Sequence, residues 1–388
     1  MRLPDFELEV FFSRYEFSTP YLLAQSDCES LSIDDLLALE PDPEKARHDF
    51  LQTRLGYSPN DGNPALRRAV SGLYRHMAER DVLLFTGAQE GIFACMNVLL
   101  EPGDHVICQF PGYQSLYDLP RALGCTVDFW QLEAEGQEGG WRLDLEALKK
   151  LIRPETRLVV VNSPHNPTGF VLDARQTQEL CALARQHGIW IFADEVYRGL
   201  GRNARPGEED RGCEEIAPWL CDVYERGISL GVMSKAYGLP GVRVGWLACG
   251  DAGLMDGISR YKNYLSICGA TPSESLACTA LAHGPELLRR SRNIIQENLR
   301  VADAFFARYA AFFTYNRPQA GPIGFPLLHL IESSEEFCIR LAREAGVLLL
   351  PGSVYGLAAP YVRMGFGRKS FAANLAVLDG WLQRQKTV

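Results

Sequence analysis

The run Ser234-Lys235-Ala236-Tyr237-Gly238-Leu239-Pro240-Gly241-Val242-Arg243-Val244-Gly245 sets a lysine in a Ser/Gly-rich turn with an arginine eight residues further on. A primary amine condenses with an aldehyde, and an arginine at the mouth of the same turn holds a phosphate dianion by paired, charge-assisted hydrogen bonds. Together they imply one small molecule carrying both groups, and pyridoxal phosphate (PLP) is such a molecule. A PLP site also needs an acid facing the pyridine nitrogen. Asp194, in Trp190-Ile191-Phe192-Ala193-Asp194-Glu195-Val196-Tyr197, is the candidate.

The flanking sequence reads as strands and helices in alternation. Leu158-Val159-Val160-Val161 is a continuous apolar run suited to a strand buried on both faces. A loop from Asn162 to Gly169, a helix from about Asp173 to His187 and the strand Trp190 to Ala193 follow. The rhythm continues through Ile228 to Val232 and Val244 to Ala248, the last of these read as antiparallel. This pattern implies an α/β fold with a mainly parallel sheet, in which ligands gather at the carboxyl ends of the strands.

Two earlier segments suit the same ligand. The strand Val82 to Phe85 runs through Thr86-Gly87-Ala88-Gln89 into a helix, so Ala88 and Gln89 mark a helix start that can bind phosphate. The strand Val106 to Phe110 ends at Pro111-Gly112-Tyr113, and the Tyr113 ring can stack on the pyridine face.

Asn162-Ser163-Pro164-His165-Asn166-Pro167-Thr168-Gly169, then Asp194-Glu195-Val196-Tyr197, then Ser234-Lys235 with Arg243 resemble, in order and separation, the signature series of the class I/II aminotransferases. These are fold-type I PLP-dependent enzymes, and the resemblance runs from about Tyr57 to Arg363. It implies an N-terminal arm joined to the small domain (1–45), a large PLP-binding domain with a mainly parallel, seven-stranded-type sheet (46–274) and a smaller α/β domain (275–388). It implies that Lys235 is the catalytic amine, that Asn166 and Tyr197 hydrogen-bond the phenolic oxygen of PLP, and that Ser234 adds a phosphate contact. It also implies that Arg363 clamps the substrate carboxylate, with Asn166 beside it. A homodimer follows from the same resemblance, with Tyr57 reaching the cofactor phosphate of the neighbouring subunit. Val232 departs from the pattern, because the family usually has Gly or Ser three residues before the lysine. One side-chain phosphate donor is therefore expected to be missing.

Ser26-Asp27-Cys28-Glu29-Ser30 stands where many relatives carry a glycine-containing loop over the substrate. Asp27 and Glu29 either meet a cationic substrate side chain or face water and cap the following helix. The first option resembles relatives such as capreomycidine synthase that cyclise or oxidise arginine or hydroxyarginine. The expected reaction is nevertheless amino transfer between an amino acid and a 2-oxo acid, and the arginine chemistry is the alternative.

Composition excludes other classes. The chain has 388 residues, 47% of them hydrophobic, and a formal net charge of −9 without a Lys/Arg block, which argues against a nucleic-acid surface. Eleven cysteines without C-x-x-C or other metal spacing read as free thiols in a reducing compartment. The acidic N-terminus lacks a secretory apolar run, and no window has the length and apolarity of a membrane span. A cytoplasmic enzyme is expected, with no metal site. Further expectations are a helix through Phe6, Val10, Phe11 and Tyr15, a capped helix start at Ser32 and Asp35, and a solvated loop at 201–216 containing Pro206 and Gly207. Beyond these lie one long helix from about Ser275 to Tyr309 and strands at Gly324 to Leu328 and Tyr361 to Met364.

Overall fold

The computed structural model describes residues 1–136, 140–203, 217–329 and 332–385, so the loop read at 201–216 lies outside the described residues from 204 onward. The main sheet has the spatial order Val82–Phe85, Gly245–Ala248, Gly227–Val232, Trp190–Asp194, Thr156–Asn162, His105–Phe110, Thr126–Ala134, Trp141–Leu143. The strands from Gly227–Val232 to Thr126–Ala134 are mutually parallel. Gly245–Ala248 is antiparallel to both neighbours, as its reading anticipated.

The eighth strand, Trp141–Leu143, extends the seven-stranded pattern along one edge. Trp141 and Leu143 turn inward, while Arg142 turns outward to pair with Glu133 at 2.6 Å. Three residues are too few to announce a strand by alternation alone. The central strands are buried on both faces, which is why their sequences are apolar without interruption.

After Ser275 the chain departs from the single helix expected there. Thr271–Ala282 and Gly284–Arg308 are separate helices broken at His283. Pro285 has no N–H to donate and its ring clashes with a preceding helical turn, so it is accommodated only at the start of the second helix. The stretch Gly324 to Leu328 also divides. Ile323–Gly324 pairs with Val362–Gly365, whereas Leu327–Leu328 pairs with Phe313–Thr314. Pro326, between them, has no donor for a ladder.

The arm folds back onto these later elements. Tyr21–Leu22 lies parallel to Val347–Leu348, and the helix Glu7–Tyr15 precedes it. Ser32 and Asp35 make the reciprocal capping bonds read from the sequence, opening the helix Ile33–Leu37. One buried apolar cluster runs from the main sheet into the C-terminal elements. Among the described residues no helix is long and apolar enough to cross a membrane.

Candidate active site

A cavity of about 330 Å³ opens at the carboxyl ends of the parallel strands. Asn162, Asp194 and Val232 are the last residues of three of them, and each contributes to the wall. Ser234 and Lys235 follow directly in the turn after Val232, and Tyr113 stands three residues beyond Phe110. Sheet topology therefore brings together residues scattered over most of the chain.

At the centre, Lys235 Nζ donates a hydrogen bond of 2.8 Å to the Ser26 hydroxyl. Burial holds the lysine below its ordinary pKa; Asp27 opposes this and Arg363 adds to it, while Asp194 and Glu9 also oppose. Asp194 is buried, and desolvation pushes its carboxyl up to about 6 against the Val196 N–H and the Lys235 charge. A buried carboxyl of this kind ionises fully when a cation is placed against it. Tyr197 is also buried, and its hydroxyl faces the cavity near Ser26 with no hydrogen bond of ordinary geometry among the described residues. That hydroxyl, the amine and the carboxylate are what a pyridine ring with a phenolic oxygen and an aldehyde requires, so the residues fit PLP.

Asn166 is held from three sides. Its N–H donates to Asn162 Oδ1 at 2.6 Å, and its Oδ1 accepts from Tyr355 Oη at 2.9 Å and Arg363 Nη1 at 3.3 Å. This leaves Nδ2 as the donor the side chain has for a ligand. Tyr113 lines the wall and packs against Phe6 with ring centroids 5.1 Å apart.

The helix Ala88–Leu99 begins at the cavity wall. No side chain caps its start, so its first N–H groups stay open beside Ala88 and Gln89. Gly87, at φ 82°, precedes it, and a Cβ there would stand 2.4 Å from Arg243 Nη2. Arg243 itself has φ 52°, a left-handed backbone rare in residues other than glycine. Its Nη1 donates to Ser234 Oγ at 3.3 Å and to Pro240 O at 3.0 Å, which sets the guanidinium across the helix start. Val232 occupies the wall without offering a donor.

On the substrate side, Arg363 is buried and oriented. Nε and Nη2 donate to Ala24 O at 3.1 and 2.8 Å, and Nη1 donates to Tyr355 Oη at 2.7 Å. The loop Gln25-Ser26-Asp27 is pressed over the cavity by Gly365, where a Cβ would lie 1.7 Å from Gln25 O. Asp27 pairs with Arg368 at 2.7 Å. Of the two places open to Glu29, the structure takes the one away from the substrate. The chain bends at Asp27, Cys28 is buried, and the Glu29 carboxylate accepts the Lys369 N–H at 2.9 Å outside the cavity wall. Tyr57 is 93% exposed and does not touch the cavity of its own chain.

Sequence reading passed over Glu9, Phe12, Glu16, Ser26 and Arg368, all in the wall. One signal was available. Glu9 in the first helix and Glu16 just past its end stand seven residues apart beside Leu8 and Phe12, so acids recur near the apolar side of that segment.

The fold and cavity define a fold-type I PLP-dependent enzyme. The chain belongs to the aminotransferase class I and II family, whose model matches residues 22–377, and its cofactor is PLP. It is 30% identical over 380 residues to capreomycidine synthase of Streptomyces vinaceus, covering 97% of this chain and 93% of that protein. A PLP-dependent aminotransferase from Streptococcus suis 89-1591 matches with a TM-score of 0.90 and 36% identity over 99% of both chains. The PLP-dependent cyclase OrfR matches with a TM-score of 0.86 and 25% identity over 99% of this chain and 98% of that one.

Proposed function

We propose that this enzyme moves an amino group between an amino acid and a 2-oxo acid. The reading is carried by the Lys235 amine, the Asp194 carboxylate and the Arg363 guanidinium facing one cavity. PLP, when bound, supplies an aldehyde and an electron-accepting ring. Asp194 would keep the ring nitrogen protonated, Asn166 and Tyr197 would donate to the phenolic oxygen, and Arg243, Ser234 and the helix start would hold the phosphate. Arg363 takes the substrate carboxylate as a planar pair, fixing which Cα bond stands perpendicular to the ring. Lys235 Nζ then accepts the Cα proton, a task suited to an amine whose pKa is depressed by burial.

Incubating the PLP-loaded protein with amino donors should shift the visible absorbance of the cofactor and release the matching 2-oxo acid. Borohydride reduction before donor addition should fix the cofactor at Lys235. No absorbance change with any donor, in protein shown to hold PLP, would sink the transfer reading.

A second reading is favoured by Asp27 in the wall and by the likeness to capreomycidine synthase: cyclisation or oxidation of an arginine-like substrate. Mass spectrometry separates the two, since a cyclised or oxidised product without stoichiometric 2-oxo acid favours the second. We further propose a homodimer in which Tyr57 serves the neighbouring site, and a cytoplasmic location consistent with ten free thiols among the described cysteines.

A further inference from the structure

Most charges around the cavity have a task in PLP binding, and those near its N-terminal side do not. Lys235, Arg243, Asp194 and Arg363 are engaged by the cofactor or by the substrate's α-carboxylate. What remains in the wall is Glu9, Glu16, Asp27 and a single cation, Arg368. Arg368 pairs with Asp27 at 2.7 Å. Two carboxylates that line the cavity, the exposed Glu9 and the half-buried Glu16, have no salt bridge among the described residues.

A second observation points to a ligand at the same place. Gln25 is only 9% exposed and lines the cavity; its amide acts on the Glu16 carboxylate, and among the described residues no donor of ordinary geometry meets its Oε1. Leaving the carbonyl of a buried amide unbonded is costly unless a bound group satisfies it. Burial pushes the Glu16 carboxyl above its ordinary value, the Gln25 amide opposes, and the Asp27 and Glu9 charges raise it further, with Arg363 pulling it down. The acids are thus close enough to feel one another. Leu8 and Phe12, from the same helix as Glu9, give an apolar wall for a methylene stem.

We propose that Glu9, Glu16 and Asp27, with the Gln25 amide, form the subsite for the substrate side chain, and that this side chain ends in a guanidinium or ammonium group. A guanidinium offers several N–H donors to three carboxylates and the Gln25 carbonyl, and its charge relieves their mutual repulsion. An acidic side chain meets the opposite field. This inference rests on the PLP reading of the cavity and adds the class of substrate to it.

The test compares L-arginine, L-lysine and L-ornithine with L-citrulline, a neutral isostere of arginine, and with L-glutamate. Binding to the PLP-loaded protein is measured by calorimetry, which needs no turnover, and reaction by the cofactor absorbance. Arginine should bind at least about tenfold more tightly than citrulline, the usual worth of a hydrogen-bonded charge, with glutamate weakest. Glu9→Gln and Glu16→Gln should each shrink that ratio, and the double variant should abolish it, chiefly through weaker arginine binding. Retained PLP absorbance and melting temperature show that the variants fold. Equal binding of arginine and citrulline, or a preference that survives the double variant, overturns the subsite whether or not the absorbance changes. A calorimetric preference for arginine without any absorbance change upholds the subsite and sinks amino transfer.

Discussion

Lys235 Nζ lies 2.8 Å from the hydroxyl of Ser26, so the amine proposed to react is anchored by a residue of the N-terminal segment. That segment is held by the close approach of Gln25 to Gly365. The lysine's position thus depends on how the segment packs over the sheet. Ser26 acts as a positioning residue. Ser26→Ala should keep PLP bound yet lower kcat about tenfold, a fraction of what a general base itself contributes. Losing an acceptor for the ammonium lowers the lysine's pKa further, so the acidic limb of the kcat profile should move to lower pH. Ser26→Thr, which retains the hydroxyl, should restore both. A kcat loss without a shifted profile would point to packing alone.

Asp194 links the cofactor to stability. Its carboxyl is pushed up to about 6 in the PLP-free protein from an ordinary 3.8, chiefly by burial, and Glu195 beside it rises to about 7 for the same reason. An acid raised on folding favours the protonated folded state. Its contribution is full below about pH 4 and is lost as pH climbs through 6, by roughly 3 kcal/mol at most for Asp194. PLP-free Asp194→Asn, neutral at every pH, should therefore be more stable than wild type at pH 8 and no more stable at pH 4. It should also bind PLP less tightly and turn over far more slowly. Denaturant melts at the two pH values decide it, and a stability advantage of Asp194→Asn over wild type that does not grow from pH 4 to pH 8 contradicts the assignment.

The proposed phosphate cup depends on a backbone exception. Gly87 has φ 82°, and a side chain there would run into Arg243. Gly87→Ala should weaken PLP binding by about tenfold or more through backbone strain and displacement of the guanidinium. Arg243→Lys keeps the charge but loses the planar fork, and should weaken PLP by a similar factor. Equilibrium dialysis with PLP reads both. An unaffected Gly87→Ala variant would mean that Arg243 has another resting place.

That Tyr113, Asp194 and Lys235 share one cavity was legible in the sequence because each sits at a fixed offset from a strand end. Asp194 and Lys235 follow apolar runs whose burial needs only hydrophobicity and length to recognise. The substrate side was not legible in this way. Glu9, Glu16 and Arg368 enter the cavity from opposite ends of the chain, through packing that no local pattern encodes. The placement of Glu29 stayed open for a related reason, since one bend at Asp27 decides which of two neighbouring acids faces inward. The helix break at His283 was available in Pro285, whose backbone chemistry outweighs an apolar periodicity that continues past it.

Tyr57 is 93% exposed, with Leu55 at 85% beside it. Its loop is not loose: Asn60 Nδ2 donates to Ile267 O at 2.8 Å, and Thr271 Oγ1 donates to Gly56 O at 2.7 Å. These bonds tie the loop to the segment carrying Tyr264, 90% exposed, and Ile267, which has the left-handed φ of 66° that β-branched residues rarely adopt. Large apolar side chains held out on a rigid edge suit a contact with a second copy. The chain should sediment as a dimer, and Leu55→Glu with Tyr264→Glu should yield monomers that bind PLP poorly. Tyr57→Phe should leave the dimer intact and weaken PLP about tenfold, the value of one hydrogen bond to a charged group. A mixture separates a contact across the dimer from one within a chain. In a hybrid of Tyr57→Phe and Lys235→Ala subunits, a Tyr57 that crosses the interface meets an intact Lys235 in one of the two sites. That site should bind PLP with wild-type affinity and react. If Tyr57 instead served its own subunit, no site in the hybrid would have both residues, and full affinity would not return.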